Sequence, residues 1–209
     1  AESILIGGIA GCVTAGAIGG GTQIVPRIRG TRPFGSGGAA EFDRIIQTYP
    51  TPAARQGFLE ETGNTIRKSN FGEMATDSYF ESLGLPGFRI AHQHPVTNID
   101  APITQGIDHV FVHTDSDGLT RFIVVETKFS VDGSARTTAT KETFTGRQMS
   151  DDWIDARMED VLSGEDFETF LDGAPYDRVL AAVDINGNVV ALRTIDAEGV
   201  AGGVWTPDT

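Results

Sequence analysis

Two carboxylates and one ammonium group carry the chemistry this sequence offers. Asp108 closes the words Gly106-Ile-Asp108, and Glu126-Thr127-Lys128 follows the apolar run Ile123-Val124-Val125, with seventeen residues between Asp108 and Glu126. A carboxylate inside an apolar run is costly unless it is paired or metal-bound. Side chains two apart on a strand project from the same surface, so Lys128 stands beside Glu126. Two carboxylates facing each other repel, and a divalent cation resolves the repulsion. Mg2+ or Mn2+ prefers such oxygen ligands and keeps waters, and the backbone carbonyl of Thr127 is expected as a further metal ligand. Lys128 would then orient or deprotonate an attacking water, or stabilise charge developing on a phosphate. The structural alternative for Asp108, Glu126 and Lys128 is a cross-strand salt-bridge cluster.

The two acids meet only if two strands pair in one register. Between them lies Asp115-Ser-Asp-Gly-Leu119. Taking Ser116-Asp117-Gly118 as a three-residue hairpin loop puts Gly118 where a left-handed residue is wanted. Asp115 then faces Leu119, every facing pair sums to 234, and Asp108 therefore stands opposite Glu126. Facing residues share a sheet surface, with Cβ atoms about 5 Å apart.

The remaining pattern supplies the frame. Helices are expected over Ala39–Tyr49, Asn64–Leu83 and Gln148–Leu162. The last of these carries Trp153, Ile154, Met158, Val161 and Leu162 at helical spacing, which reads as core. Period-two stretches run over Phe88–His92, Ile107–His113 and Arg121–Phe129, and a second strand pair, Asp177–Ile185 and Asn188–Ile195, flanks Asn186-Gly187. Helix, three strands, helix, two strands is α/β, with a mixed central β-sheet flanked by helices.

The sequence resembles the PD-(D/E)XK nuclease superfamily through Asp108 and Glu126-Thr-Lys128. The words Gly72-Glu-Met-Ala-Thr-Asp77, Gly106-Ile-Asp108 and Gly146-Arg-Gln-Met-Ser150 look more specifically like restriction-endonuclease-fold toxin domains at the C-termini of bacterial polymorphic toxins, such as type VI or Rhs-like effectors. The likeness spans roughly residues 64–195, and Ile107 stands where the name-giving proline would be. It implies a restriction-endonuclease-like αβββαβ core and a Mg2+- or Mn2+-dependent endonuclease acting on DNA. Asp108, Glu126 and Lys128 would be catalytic, with Glu73 on the first core helix completing the acidic site. Gln148, with Arg147 beside it, maps to the polar position opening the helix after the motif strand. A secreted effector working in the target-cell cytoplasm, and a cognate immunity protein at home, are further implications. For Glu73 a solvated helix-face acid, and for Gln148 and Arg147 a mere helix-start decoration, are the plainer readings.

Other site chemistries find less support. His92 and His94 are spaced for one strand face and invite zinc. His109 and His113 share a face too, but by the register above it is opposite to Asp108, so histidines that are exposed or satisfied in the core are expected. No Gly-rich phosphate loop with its lysine and no G-x-S-x-G elbow occurs, which removes nucleotide-triphosphatase and hydrolase-triad readings.

Composition sets the bounds. The 209 residues are 39% hydrophobic and 22% charged, enough for a core. One cysteine, Cys12, excludes an internal disulfide framework. The net charge of −13 argues against a protein that coats DNA non-specifically. It is unevenly spread: residues 149–209 hold 14 acids and three bases, against 15 acids and 13 bases before them. Such a tail reads either as a solvated surface or as a docking face for a basic partner, the side on which an immunity protein would bind.

Residues 1–38 are expected to form a separate N-terminal segment and linker, leaving 39–209 as the nuclease-like domain. Ser3 to Val25 has no charged residue and seven glycines. It reads as a run ordered against a membrane or a delivery protein, or as a flexible glycine-rich linker. Opening on Ala1, the chain fits a fragment released from a longer polypeptide. Two other functions stay open: a membrane-active or translocation toxin working through residues 3–25, and a catalytically silent nuclease fold serving as a binding module.

Overall fold

Alternating hydrophobicity becomes a six-stranded sheet. In chain order the strands of the computed structural model are β1 (Arg89–Ile90), β2 (His109–Thr114), β3 (Thr120–Phe129), β4 (Glu142–Thr143), β5 (Gly146–Arg147), β6 (Tyr176–Val183), β7 (Val189–Ile195) and β8 (Ala201–Val204). The main sheet runs β1-β2-β3-β6-β7-β8, with β3–β6 its one parallel pair, and β4–β5 is a small hairpin apart from it. The helices are α1 (Gly37–Thr48), α2 (Pro52–Glu60), α3 (Ile66–Ser82), α4 (Asp151–Val161) and α5 (Gly164–Leu171). The structure describes residues 37–61, 65–134 and 142–207. The expected membrane- or partner-contacting run 3–25 lies outside the described residues, as does nearly all of the expected linker. No helix among the described residues is long and apolar enough to cross a membrane.

The sheet separates two cores. Ile123 and Val125 of β3 point into one, with Phe42 of α1, Leu59 of α2, Phe71, Met74 and Phe80 of α3, and Phe111 of β2. Phe122 and Val124 point into the other, with Val110, Trp153, Ile154 and Met158. This is the expected mixed sheet flanked by helices, and the chain crosses from β3 to its parallel neighbour β6 through β4–β5, α4 and α5.

The β2–β3 turn is the one on which the site depends. Asp115 N–H donates to Leu119 O at 3.0 Å, Gly118 N–H to Asp115 O at 3.0 Å, and Gly118 has φ 79°. Pairing runs from Thr114 opposite Thr120 to His109 opposite Val125, the expected register.

Four features depart from expectation. The helix expected from Gln148 begins at Asp151 instead, because Met149 has φ 68° and a left-handed residue cannot continue a helix. Two short helices, α2 and α5, were not expected, although each has a local start signal. Thr51 Oγ1 accepts from Ala54 N–H at 3.2 Å ahead of Pro52, and Ser163 Oγ accepts from Asp166 N–H at 3.4 Å. The first strand shrinks to Arg89–Ile90, since Ala91 and His92 N–H both converge on Val110 O and end the ladder. The strands β4, β5 and β8 are too short to show a period.

Candidate active site

The two carboxylates do come together at the β2 end of β3. Asp108 immediately precedes β2, so beyond the His109–Val125 pair the next facing positions are Asp108 and Glu126. Within a strand the N–H and C=O of one residue point to the same side. Thr127 N–H reaches past the end of the ladder and donates to Asp108 Oδ2 at 2.8 Å. The Thr127 carbonyl therefore opens toward the Asp108 side as well. That is the position a backbone metal ligand would need.

Glu126 is only 2% exposed and uses both of its oxygens. Oε1 accepts from the Lys128 ammonium, and Oε2 accepts from Gln148 Nε2 at 2.6 Å. Lys128 thus shares the surface of Glu126, as its spacing requires. Gln148 reaches it from a turn instead of a helix start.

That turn is held in an unusual backbone. Gly146 has φ 100° and Met149, fully buried, has φ 68°. A left-handed non-glycine residue costs about 1–2 kcal/mol, so its surroundings must over-determine it. Part of the hold comes from the β7–β8 turn. Ala197 O accepts from Asp151 N–H at 3.1 Å, and a Cβ on Gly199 (φ 78°) would stand 2.7 Å from Gln148 O and 3.0 Å from Arg147 Cγ. Arg147 is thus seated over Gly199, and no described contact carries it to Glu126.

Glu73 sits on α3, the helix covering the other side of β3. It is half-buried and accepts from Ser69 Oγ at 3.3 Å. Its charge is nonetheless felt at Asp108, Lys128 and His109. It is part of the same electrostatic cluster without sharing the sheet surface of Asp108 and Glu126.

The electrostatics are those of crowded acids. Burial, then the charges of Glu126 and Glu73, hold the Asp108 carboxyl well above its ordinary range. Burial likewise raises Glu126, with Lys128 opposing, and raises Glu73, with His109 opposing. Lys128 is pulled down by burial, but Glu126, Asp108 and Glu73 outweigh this and favour its ammonium form. Burial makes each of the three carboxyls resist ionising even with Lys128 and His109 opposing it, and hard oxygen donors are the set that Mg2+ or Mn2+ takes. Among the described residues no three His, Cys, Asp or Glu side chains close into a metal cage. Mg2+ is held by one or two carboxylates with several waters retained, so the Asp108–Glu126 pair with the Thr127 carbonyl fits it.

Behind this surface lies a network that spacing alone did not reveal. His109 is buried, with Nδ1 2.8 Å from Asp77 Oδ1 and Nε2 3.0 Å from Thr127 Oγ1. Thr127 Oγ1 in turn donates to Thr76 Oγ1 at 3.0 Å. Burial lowers His109, but Asp77, through charge and hydrogen bond, with Glu73 and Asp108, raises it to about 9. The signal available was the i, i+3, i+4 placement of Glu73, Thr76 and Asp77, which share one helix face.

The other histidines bear on zinc. His92 Nε2 lies 3.1 Å from Ile107 O and its Nδ1 accepts from His94 N–H at 3.1 Å, so both ring nitrogens of His92 are engaged by backbone. Burial, then the charge of His109, lowers His92 to about 4. His113 departs from the expectation of a satisfied core histidine: it is buried with neither ring nitrogen hydrogen-bonded among the described residues.

An open pocket of about 700 Å³ lies elsewhere, between α4, α5 and the start of β6, where Arg178 stacks over Tyr176. Asp108, Glu126, Lys128, Gln148 and His109 do not line it. No family model, no curated protein and no solved structure matches the chain.

Proposed function

We propose that the chain is a Mg2+- or Mn2+-dependent endonuclease that hydrolyses phosphodiester bonds of DNA, a member of the PD-(D/E)XK superfamily working as an interbacterial toxin effector. The observation that carries this is the convergence on one sheet surface of Asp108, Glu126 and Lys128, with Gln148 bonded to Glu126. Asp108, Glu126 and the Thr127 carbonyl would hold the ion, which supplies Lewis acidity and an acidified water when bound.

The chain's own groups then have separable tasks. Lys128, kept as an ammonium by its acidic neighbours, donates to a phosphoryl oxygen or to the attacking water and stabilises the extra negative charge of the five-coordinate transition state. An ammonium has no lone pair to accept a proton, so general-base work does not fall to Lys128. Gln148 holds one oxygen of Glu126 and fixes the direction of the other. Glu73 adds negative charge at the cluster edge, which strengthens cation binding there. In the reaction a water oxygen bonds to phosphorus, one P–O ester bond breaks, and the departing alkoxide takes a proton.

The acidic stretch 149–209 contains α4, α5 and the last three strands, outside the β2–β3 unit that carries the carboxylates. It is the face on which we place a basic immunity protein. Association with that partner should slow as salt rises. Delivery to the target-cell cytoplasm belongs to the same reading.

Supercoiled plasmid with Mg2+ tests the proposal directly. Nicking or linearisation by wild type that is lost in Glu126→Ala and in the presence of chelator is the expected result. A wild-type protein that leaves plasmid intact with either metal, or a Glu126→Ala variant that still cuts, overturns it.

A further inference from the structure

Thr127 has a hand on both sides of the sheet. Its peptide serves the carboxylate surface, where its N–H donates to Asp108 Oδ2 at 2.8 Å. Its side chain serves the opposite surface, where Oγ1 meets His109 Nε2 at 3.0 Å and Thr76 Oγ1 at 3.0 Å. His109 is anchored in turn by Asp77 of α3 at 2.8 Å and lies stacked on Phe111 with ring centroids 5.5 Å apart.

The donor inventory settles who gives to whom. Asp77 is a carboxylate and only accepts, so His109 Nδ1 carries a hydrogen. The single Thr127 hydroxyl hydrogen goes to Thr76, so Thr127 Oγ1 accepts from Nε2, which carries a hydrogen as well. Hydrogen bonds therefore run in one direction from His109 to Thr127 to Thr76, with His109 tied down at Asp77. Both Thr76 and Asp77 belong to α3, the helix that also bears Glu73. Helix and strand approach closely here: a Cβ on Gly72 would stand 3.2 Å from Thr127 Cγ2 and 3.2 Å from Phe129 Cβ. The rotation of α3 over β3 is thereby registered at residue 127 from three directions.

We propose that Asp77, His109 and Thr76 form a positioning relay that locks the Thr127 side chain from behind the sheet and so aims its peptide at Asp108 and the cation. The relay rests on the metal-site reading above. None of its members touches substrate; each acts through the Thr127 peptide. Partners one step behind a metal ligand fix its orientation, and losing one costs 10–100-fold in metal affinity or activity. The same relay explains why a threonine suits the position between Glu126 and Lys128: a β-branched residue fits the strand, and its hydroxyl both accepts and donates.

The test removes the hydroxyl and keeps the shape. In Thr127→Val the amide of residue 127 should exchange with deuterium at least about tenfold faster than in wild type, with the Val125 amide unchanged, in metal-free protein. Calorimetric titration with Mn2+ should show about a tenfold weaker Kd, and kcat for plasmid should fall about tenfold with KM unchanged. Thr127→Ser, which restores the hydroxyl, should recover all three. A residue that merely fills space would lower Tm without moving amide exchange or the Mn2+ Kd. If Thr127→Val does not fold, Asp77→Asn makes the same measurement from the far end of the relay. Unchanged exchange at residue 127 in the folded variant overturns the relay, whatever the metal does. Faster exchange in a protein whose wild type neither binds Mn2+ nor cuts DNA upholds the relay and removes the nuclease reading.

Discussion

The two surfaces of β3 solve the same problem in opposite ways. Toward α3, a carboxylate (Asp77) and an imidazole (His109) are buried together, and both ring nitrogens of the histidine are taken. Toward α4, Asp108 and Glu126 share their space with a single ammonium, and both carboxyls are pushed upward. One side has matched its buried charge and gains position from it. The other has gathered like charge that a cation would relieve, the arrangement the proposed metal site requires. A structural polar cluster and a candidate reactive one differ here in partners: the imidazole facing Asp77 is held at both ring nitrogens, whereas Asp108 and Glu126 face each other as well as one ammonium.

Removing one group from each side should have the largest and most different effects. Glu126→Ala should reduce plasmid cleavage by about 10³-fold in a nicking assay, with little loss of Tm. His109→Leu should instead destabilise the fold by about 3–5 kcal/mol in denaturant unfolding, since it leaves the Asp77 carboxylate buried and unpaired. If His109→Leu unfolds no more easily than wild type, the two surfaces are not different in kind.

Acidity gives the next contrast. The folded value of His109, about 9, lies above its ordinary 6.5, so the stability it contributes is present in full below 6.5 and is lost as pH rises through 9. The raised carboxyls of Asp108, Glu126 and Glu73 act with the same sign, favouring the folded state as pH falls through their elevated range. Thermal unfolding should therefore show Tm falling between pH 6.5 and 9, and His109→Gln should flatten that slope.

Smaller effects are expected on the carboxylate side. Gly199→Ala forces a Cβ toward Gln148 O at a left-handed position and should cost about 1–2 kcal/mol while lowering cleavage several-fold, through displaced Gln148. Asp108→Asn keeps an acceptor for Thr127 N–H and removes one of the crowded charges. It should raise the Tm of the metal-free protein by about 2–4 °C while abolishing cleavage. A lower Tm would mean that the Asp108 charge is matched after all.

Local chemistry made much of this legible beforehand. Asp115, Gly118 and Leu119 specify the hairpin loop, and a loop of known length dictates every facing pair down to Asp108 and Glu126. Lys128 followed from the period of two. Gln148 was identified for a helix start that the strained Met149 excludes, and it reaches Glu126 by another route. The role of His109 was not legible, because its partner Asp77 is 32 positions away on another element.

What the amino-acid order determined by itself is therefore the set of contacts governed by a few neighbouring residues: the turn, the strand register and the surface each side chain takes. Only the tertiary structure decided how α3 sits on β3, how the β7–β8 turn props Gln148, and which buried acid is matched by a cation. Those depend on packing between distant elements and on the low-dielectric interior it creates, where a charge is cheap or costly according to neighbours that the local sequence does not contain.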